Sequence, residues 1–103
     1  MRLIILRGGG LAGIVARTEL DAQALPKSEA KAFASEVARA NLDEQPPPPP
    51  VSPRPDSQLY EISLERTRSS ISVRYTEQSL PEKVRLLVAW VDARPERVES
   101  IEM

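Results

Sequence analysis

The apolar residues in the first half of the chain follow a strand period and then a helix period. A short apolar run over residues 3–6 precedes a glycine-rich connection, and alternating residues follow over 14–20, which predicts a β-hairpin. A helix is predicted next, over about 27–42, with Pro26 at its opening. Its predicted buried stripe has members three and four residues apart: Ala30, Phe33, Ala34, Val37, Ala38 and Asn41.

The second half of the chain repeats this order. Residues 58–66 and 70–76 alternate as strands do, and a helix then opens at Leu80-Pro81 and stops before Pro95. The predicted buried stripe of that helix is Val84, Leu87, Val88 and Val91. We therefore predict an α+β fold in the order ββα–ββα: a four-stranded, mainly antiparallel sheet with two helices on one face.

A proline-rich linker over 43–56 separates the two predicted halves, 1–42 and 57–94. With 103 residues, the chain has the length of a single domain, so we expect residues 1–103 to form one. Pro46 to Pro50 favour a polyproline II rod on the order of 15 Å long. The run is interpreted as a stiff linker, with a ligand for a proline-binding domain as the alternative.

Composition narrows the range of functions. Fourteen basic and fifteen acidic residues give a net charge of −1, which indicates neither a nucleic-acid nor a membrane partner. The chain has no His and no Cys, so the commonest general base and the commonest zinc ligands are missing. No clustered Asp/Glu pair favours a carboxylate enzyme, and we expect no catalytic residues, metal or cofactor. The N-terminal apolar run is short for a signal peptide, so the expected location is cytoplasmic.

The glycine-rich segment Gly8 to Gly13 matches the G-x-G-x-x-G pattern of dinucleotide-binding proteins. That mechanism requires a helix to begin at the loop, whereas the residues after Gly13 are β-branched and then alternate. Two interpretations remain besides nucleotide binding. The glycines form a flexible hairpin turn, or they present Leu11 at the apex of a binding loop.

Several short motifs follow one another in a fixed order along the chain. They are Arg7 to Gly13, Leu20-Asp21, Leu25-Pro26, Tyr60-Glu61-Ile62, Leu80-Pro81 and Leu87-Val88-Ala89-Trp90. Their order and spacing resemble the emfourin family of bacterial protein inhibitors of thermolysin-like metallopeptidases. Leu11 stands where many relatives have Phe, which keeps the apex apolar.

The resemblance implies that the chain is a monomer when free and binds a thermolysin-like metallopeptidase as its partner. Leu11 would enter the S1′ pocket of the enzyme, and the zinc would face a backbone carbonyl, a carboxylate, water or the N-terminal amine. Arg7 would make a flanking contact. The binding loop so implied is Gly8, Gly9, Gly10, Leu11, Ala12 and Gly13. The alternative function is a non-inhibitory protein–protein interaction module.

Trp90 lies beside the apolar stripe of the second predicted helix. It is interpreted as a residue at the edge of the core that packs on the sheet, with an interface anchor as the alternative.

Overall fold

The fold was obtained as a computed structural model, which describes residues 1–9, 15–42, 58–76 and 79–102. A short 3₁₀ turn, Ala22–Ala24, follows the second strand. The strands are β1 (Arg2–Gly9), β2 (Val15–Asp21), β3 (Gln58–Glu65), β4 (Ser70–Thr76) and β5 (Val98–Glu102), and the helices are α1 (Lys27–Ala40) and α2 (Glu82–Asp92).

All five of these strands form one antiparallel sheet in the order β4-β3-β1-β2-β5. Strand β1 is central, with Leu3 opposite Leu20 of β2 on one side and opposite Leu64 of β3 on the other. Strand β3 follows the proline-rich linker, so the sheet is continuous between the two halves of the chain.

The prediction of four strands was wrong, because β5 adds a fifth at the edge beside β2. Glu19 lies opposite Val98, and Val15 opposite Glu102. The pattern did not reveal β5, because it is five residues long and its two apolar side chains, Val98 and Ile101, are 60% and 68% exposed. Backbone pairing with β2, rather than burial of a side-chain face, holds this strand in place.

The core lies between one face of the sheet and the two helices. It contains the alternating strand positions together with one stripe from each helix. Its apolar members are Leu3, Ile5, Leu20, Leu25, Phe33, Val37, Ala40, Leu42, Ile62, Leu64, Tyr75, Leu80, Val84, Leu87, Val88 and Val91. All four residues predicted for the stripe of α2 are buried, which confirms that prediction.

The predicted stripe of α1 was partly wrong. Phe33 and Val37 are buried as expected, but the third buried residue of the helix is Ala40, while Ala34 and Ala38 are exposed. Alanine is too small to indicate which side of a helix faces the core, so the larger side chains set the face. Asn41 is the C-cap residue, with left-handed φ 48° and ψ 52°, a conformation that Asn tolerates better than most residues.

Candidate functional site

The β1–β2 hairpin carries the glycine-rich segment that the sequence singled out. Gly8 lies in β1 opposite Val15 of β2 and Leu59 of β3, and Gly9 lies opposite Gln58 of β3. These two glycines therefore form the end of β1 that leads into the predicted loop, and their role in binding stays a prediction. Strand pairing continues through them, because backbone hydrogen bonds need no side chain. The other members of the predicted loop, Gly10, Leu11, Ala12 and Gly13, lie outside the described residues.

Gly8 lies between two apolar neighbours on the open face of the sheet. Leu59 is 43% exposed and Val15 is half-buried, one on each side of the glycine. A side chain at position 8 would stand between them, since residues opposite each other on one face of a sheet contact across the strands. Two apolar side chains, Leu59 and Val15, therefore flank Gly8 on the open face of the sheet.

Arg7 precedes these glycines and points to the helix-covered face, as the alternation from Leu3 and Ile5 requires. Its guanidinium makes a two-point contact with Asp92, the last residue of α2: Nη1 donates to Oδ2 at 2.9 Å, and Nη2 donates to Oδ1. Nη2 also lies 3.5 Å from Oγ1 of Thr18 on β2. One arginine side chain therefore links two strands and a helix.

The burial of Arg7 and the negative charge of Asp92 have opposite effects on the pKa of the Arg7 guanidinium. The Arg7 side chain is 19% exposed and that of Asp92 is 37% exposed. The hydrogen bonds to Asp92 raise the pKa of the Arg7 guanidinium, burial opposes the rise, and the charges of Asp92, Tyr60 and Glu99 add to it. Arg7 therefore stays charged, and Asp92 is the partner that compensates that charge.

The position of Arg7 bears on its predicted role as a flanking contact for a protease. Its guanidinium is directed inward to Asp92, a residue that no motif in the sequence indicates. Asp92 is 85 positions away along the chain, and no local spacing connects it with Arg7. Only the packing of α2 over β1 brings the two residues together.

Trp90 lies at the edge of the core, as predicted, and packs against α1. Its indole ring stacks on Phe33 of α1, with centroids 5.6 Å apart and planes 10° apart. The guanidinium of Arg94 lies 5.1 Å from the centroid of the Trp90 ring, and it also pairs with Glu29 of α1 at 2.5 Å. Trp90 is half-buried at the edge of the core, and these contacts support a packing role.

Tyr75 is buried in the core together with its polar hydroxyl group. Burial raises the pKa of its phenol to about 12. The hydroxyl has no hydrogen-bond partner among the described residues.

In the part of the chain that the structure describes, no three His, Cys, Asp or Glu side chains are grouped so that they could hold a metal ion.

Comparison with known protein families places the chain in a family. The family model described as Emfourin matches residues 5–92. The chain belongs to the emfourin family. The matched range begins in β1 and ends at Asp92, so it includes Arg7 and the whole glycine-rich segment, whereas β5 lies outside it. Membership in the emfourin family suggests a metalloprotease-inhibitor function.

Neither the comparison with curated proteins nor the comparison with solved structures gave a significant match. In the part of the chain that the structure describes, neither helix is long and apolar enough to span a membrane.

Proposed function

We propose that the chain is a protein inhibitor of thermolysin-like zinc metalloproteases that presents the segment Gly8 to Gly13 to the active-site cleft. Leu11 would fill the S1′ pocket, which in these enzymes takes a bulky apolar residue. The observation that carries the proposal is the emfourin-family match over residues 5–92. The bacterial and cytoplasmic setting stays a prediction from the sequence.

The hairpin supports this proposal, because both ends of the 10–14 connection are held by the sheet. Gly8 pairs with Val15 across the hairpin, and Gly9 pairs with Gln58 of a third strand. A segment whose ends are already ordered loses less conformational freedom when it binds than a free peptide does. A substrate-like segment held in this way can occupy a cleft more tightly than a substrate.

The two ends of β1 offer different groups to a zinc ion. Residues 10–14 follow the Gly9 end, whereas the amine of Met1 lies at the Arg2 end, roughly 25 Å away along an extended strand. The 10–14 segment and the Met1 amine therefore cannot both face the same zinc ion in one binding pose. We propose that the Gly9 end enters the cleft, so that a backbone carbonyl or a bridging water faces the metal.

The test is a titration of a thermolysin-like protease with the purified chain, followed by hydrolysis of a fluorogenic peptide. We expect stoichiometric loss of activity that rising substrate concentration reverses. A serine protease cleaving the same peptide is the control and should keep its full activity. Undiminished activity of several thermolysin-like enzymes at a large excess of the chain would refute the proposal.

A second candidate is a non-inhibitory protein–protein interaction module. The edge strand β5 favours it, because Val98 and Ile101 are exposed there and the strand lies outside the family match. An exposed strand edge can pair with an extended segment of another protein. Binding to a protease without loss of its activity would favour this candidate over inhibition.

A further inference from the structure

Arg7 is the last residue of β1 with a side chain, because Gly8 and Gly9 complete the strand. Below it, Leu3 and Ile5 anchor the same face of β1 in the core. Beyond it, the glycines have only backbone hydrogen bonds to hold them. The Arg7 side chain is therefore the final side-chain anchor of β1 before the segment proposed to enter the protease.

The contacts of Arg7 join the three elements that meet at this point. Asp92 of α2 accepts from both terminal nitrogens, and Thr18 places β2 against the same guanidinium. A two-point arginine–carboxylate contact fixes orientation as well as distance, because the planar guanidinium matches the carboxylate geometry. The side chain is largely buried, so solvent screens the pair less than it screens surface pairs.

Arg2, at the other end of β1, is a natural comparison. It pairs with Glu19 of β2 at 3.1 Å and with Glu65 of β3. Its side chain is 44% exposed on the open face of the sheet, and its partners here are strand residues. Arg2 and Arg7 are thus the same residue type in the same strand, but among their partners in the described residues a helix residue is found for Arg7 and not for Arg2.

We propose that Arg7 and Asp92 are positioning residues, which hold the end of β1 against α2 and so orient the 10–14 segment for binding. This inference rests on the proposed inhibitory function. Without the pair, the glycine end of β1 keeps its backbone pairing but loses the ion pair that ties it to α2. The segment then samples more orientations and loses more entropy on binding, which weakens inhibition without removing any contact with the protease.

The experiment combines a double-mutant cycle with amide hydrogen exchange. The variants are Arg7→Gln, Asp92→Asn, both together, and Arg2→Gln as the matched control. For each, the inhibition constant against a thermolysin-like protease and the melting temperature are measured. Exchange rates of the Gly8 and Gly9 amides are measured by NMR in the free protein, with the Ile5 amide as the internal reference.

We expect Asp92→Asn and Arg7→Gln each to weaken inhibition roughly tenfold, and the double variant no more than either single one, because residues in one hydrogen-bonded network are not additive. Exchange at Gly8 and Gly9 should quicken in Asp92→Asn and stay unchanged in Arg2→Gln, which should inhibit like the parent. If Arg7→Gln does not fold, the nearly isosteric Asp92→Asn carries the test.

Two results would overturn the proposal. If Asp92→Asn inhibits like the parent while Arg7→Gln does not, Arg7 contacts the protease directly. If Asp92→Asn leaves exchange at Gly8 and Gly9 unchanged, the pair does not hold this end of β1, whatever the inhibition shows. If the parent inhibits no protease, the proposed function fails, and the exchange rates alone decide whether the pair positions the strand.

Discussion

The ring of Phe33 in α1 stacks on the indole of Trp90 in α2, and each residue comes from a different half of the chain. The ion pair between Glu29 and Arg94 connects α1 to the residues that directly follow α2. In the sheet, β1 pairs with β3, which again joins the first half to the second. The two halves therefore share one sheet and one core, rather than packing as separate units.

This sharing predicts that the first half does not fold alone. A fragment of residues 1–45 would lose β3 from beside the central strand β1 and would expose Phe33, which is fully buried in the whole chain. A two-stranded hairpin with one helix is too small to compensate for these losses. We expect an unfolded far-UV circular dichroism spectrum. A cooperative melting transition for the fragment would show that the halves are independent domains.

Leu11 provides the sharpest test of the proposed binding segment. Leu11→Phe should inhibit about as well as the parent, because both side chains are bulky and apolar. Leu11→Asp should weaken binding by about 2–4 kcal/mol, since a carboxylate would enter an apolar pocket unpaired. Inhibition constants measure the effect, and melting temperatures should stay unchanged because we expect the apex of the hairpin to be in solvent.

Leu86→Asp is the matched control for this prediction. Leu86 is 55% exposed on α2, so the same substitution there should change neither inhibition nor folding appreciably. A Leu11→Asp variant that inhibits like the parent would remove the glycine-rich segment from the interface. A Leu11→Asp variant that does not fold would instead assign Leu11 to the core.

The proline run is predicted to act as a spacer. Replacing Pro46 to Pro50 with a Gly/Ser segment of equal length keeps the reach of the linker and removes its stiffness. The melting temperature should fall slightly, because the looser chain has more conformational entropy when unfolded. The inhibition constant should change by no more than a few-fold. A loss of orders of magnitude would place the run in the interface.

The raised pKa of Tyr75 predicts that the stability of the folded protein falls at alkaline pH. Its pKa in the folded protein is raised to about 12, whereas an unfolded tyrosine ionises near about 10. The folded state therefore holds the proton more tightly, and stability that is fully present below about pH 10 is lost as the pH rises towards about 12. Tyr75→Phe should show a smaller decrease in melting temperature over this range. Equal decreases for parent and variant would contradict the assignment.

Strand β5 is predicted to matter for stability rather than inhibition. Truncation after Arg97 uncovers the outer edge of β2, from Val15 to Glu19, and should lower the melting temperature by several degrees. The inhibition constant should stay within a few-fold of the parent value, because the family match ends before β5. As a control, Ile101→Thr keeps the strand and should have little effect. Abolished inhibition in a truncated protein that still folds would place β5 in the interface.

The sequence by itself determined the elements whose burial pattern is local. The alternation in β3 and β4 and the apolar stripe of α2 follow from backbone periods of two and 3.6 residues, which a single segment displays without reference to any other. Large side chains made these patterns clear. The alanine-rich helix α1 was located well, but its buried face was partly misassigned, because an Ala side chain is nearly as compatible with solvent as with the core.

The tertiary structure decided which distant segments meet. The central place of β1, the pairing of β5 with β2, and the contact of Arg7 with Asp92 all depend on how the chain closes over tens of residues. Five residues with two exposed apolar side chains carry almost no burial signal, so β5 became visible only through the hydrogen bonds that β2 offers it. From the sequence, Arg7 beside a glycine-rich segment is expected to lie at the surface. In the structure α2 covers it, and a buried guanidinium needs a carboxylate partner. No local pattern identifies that partner, Asp92.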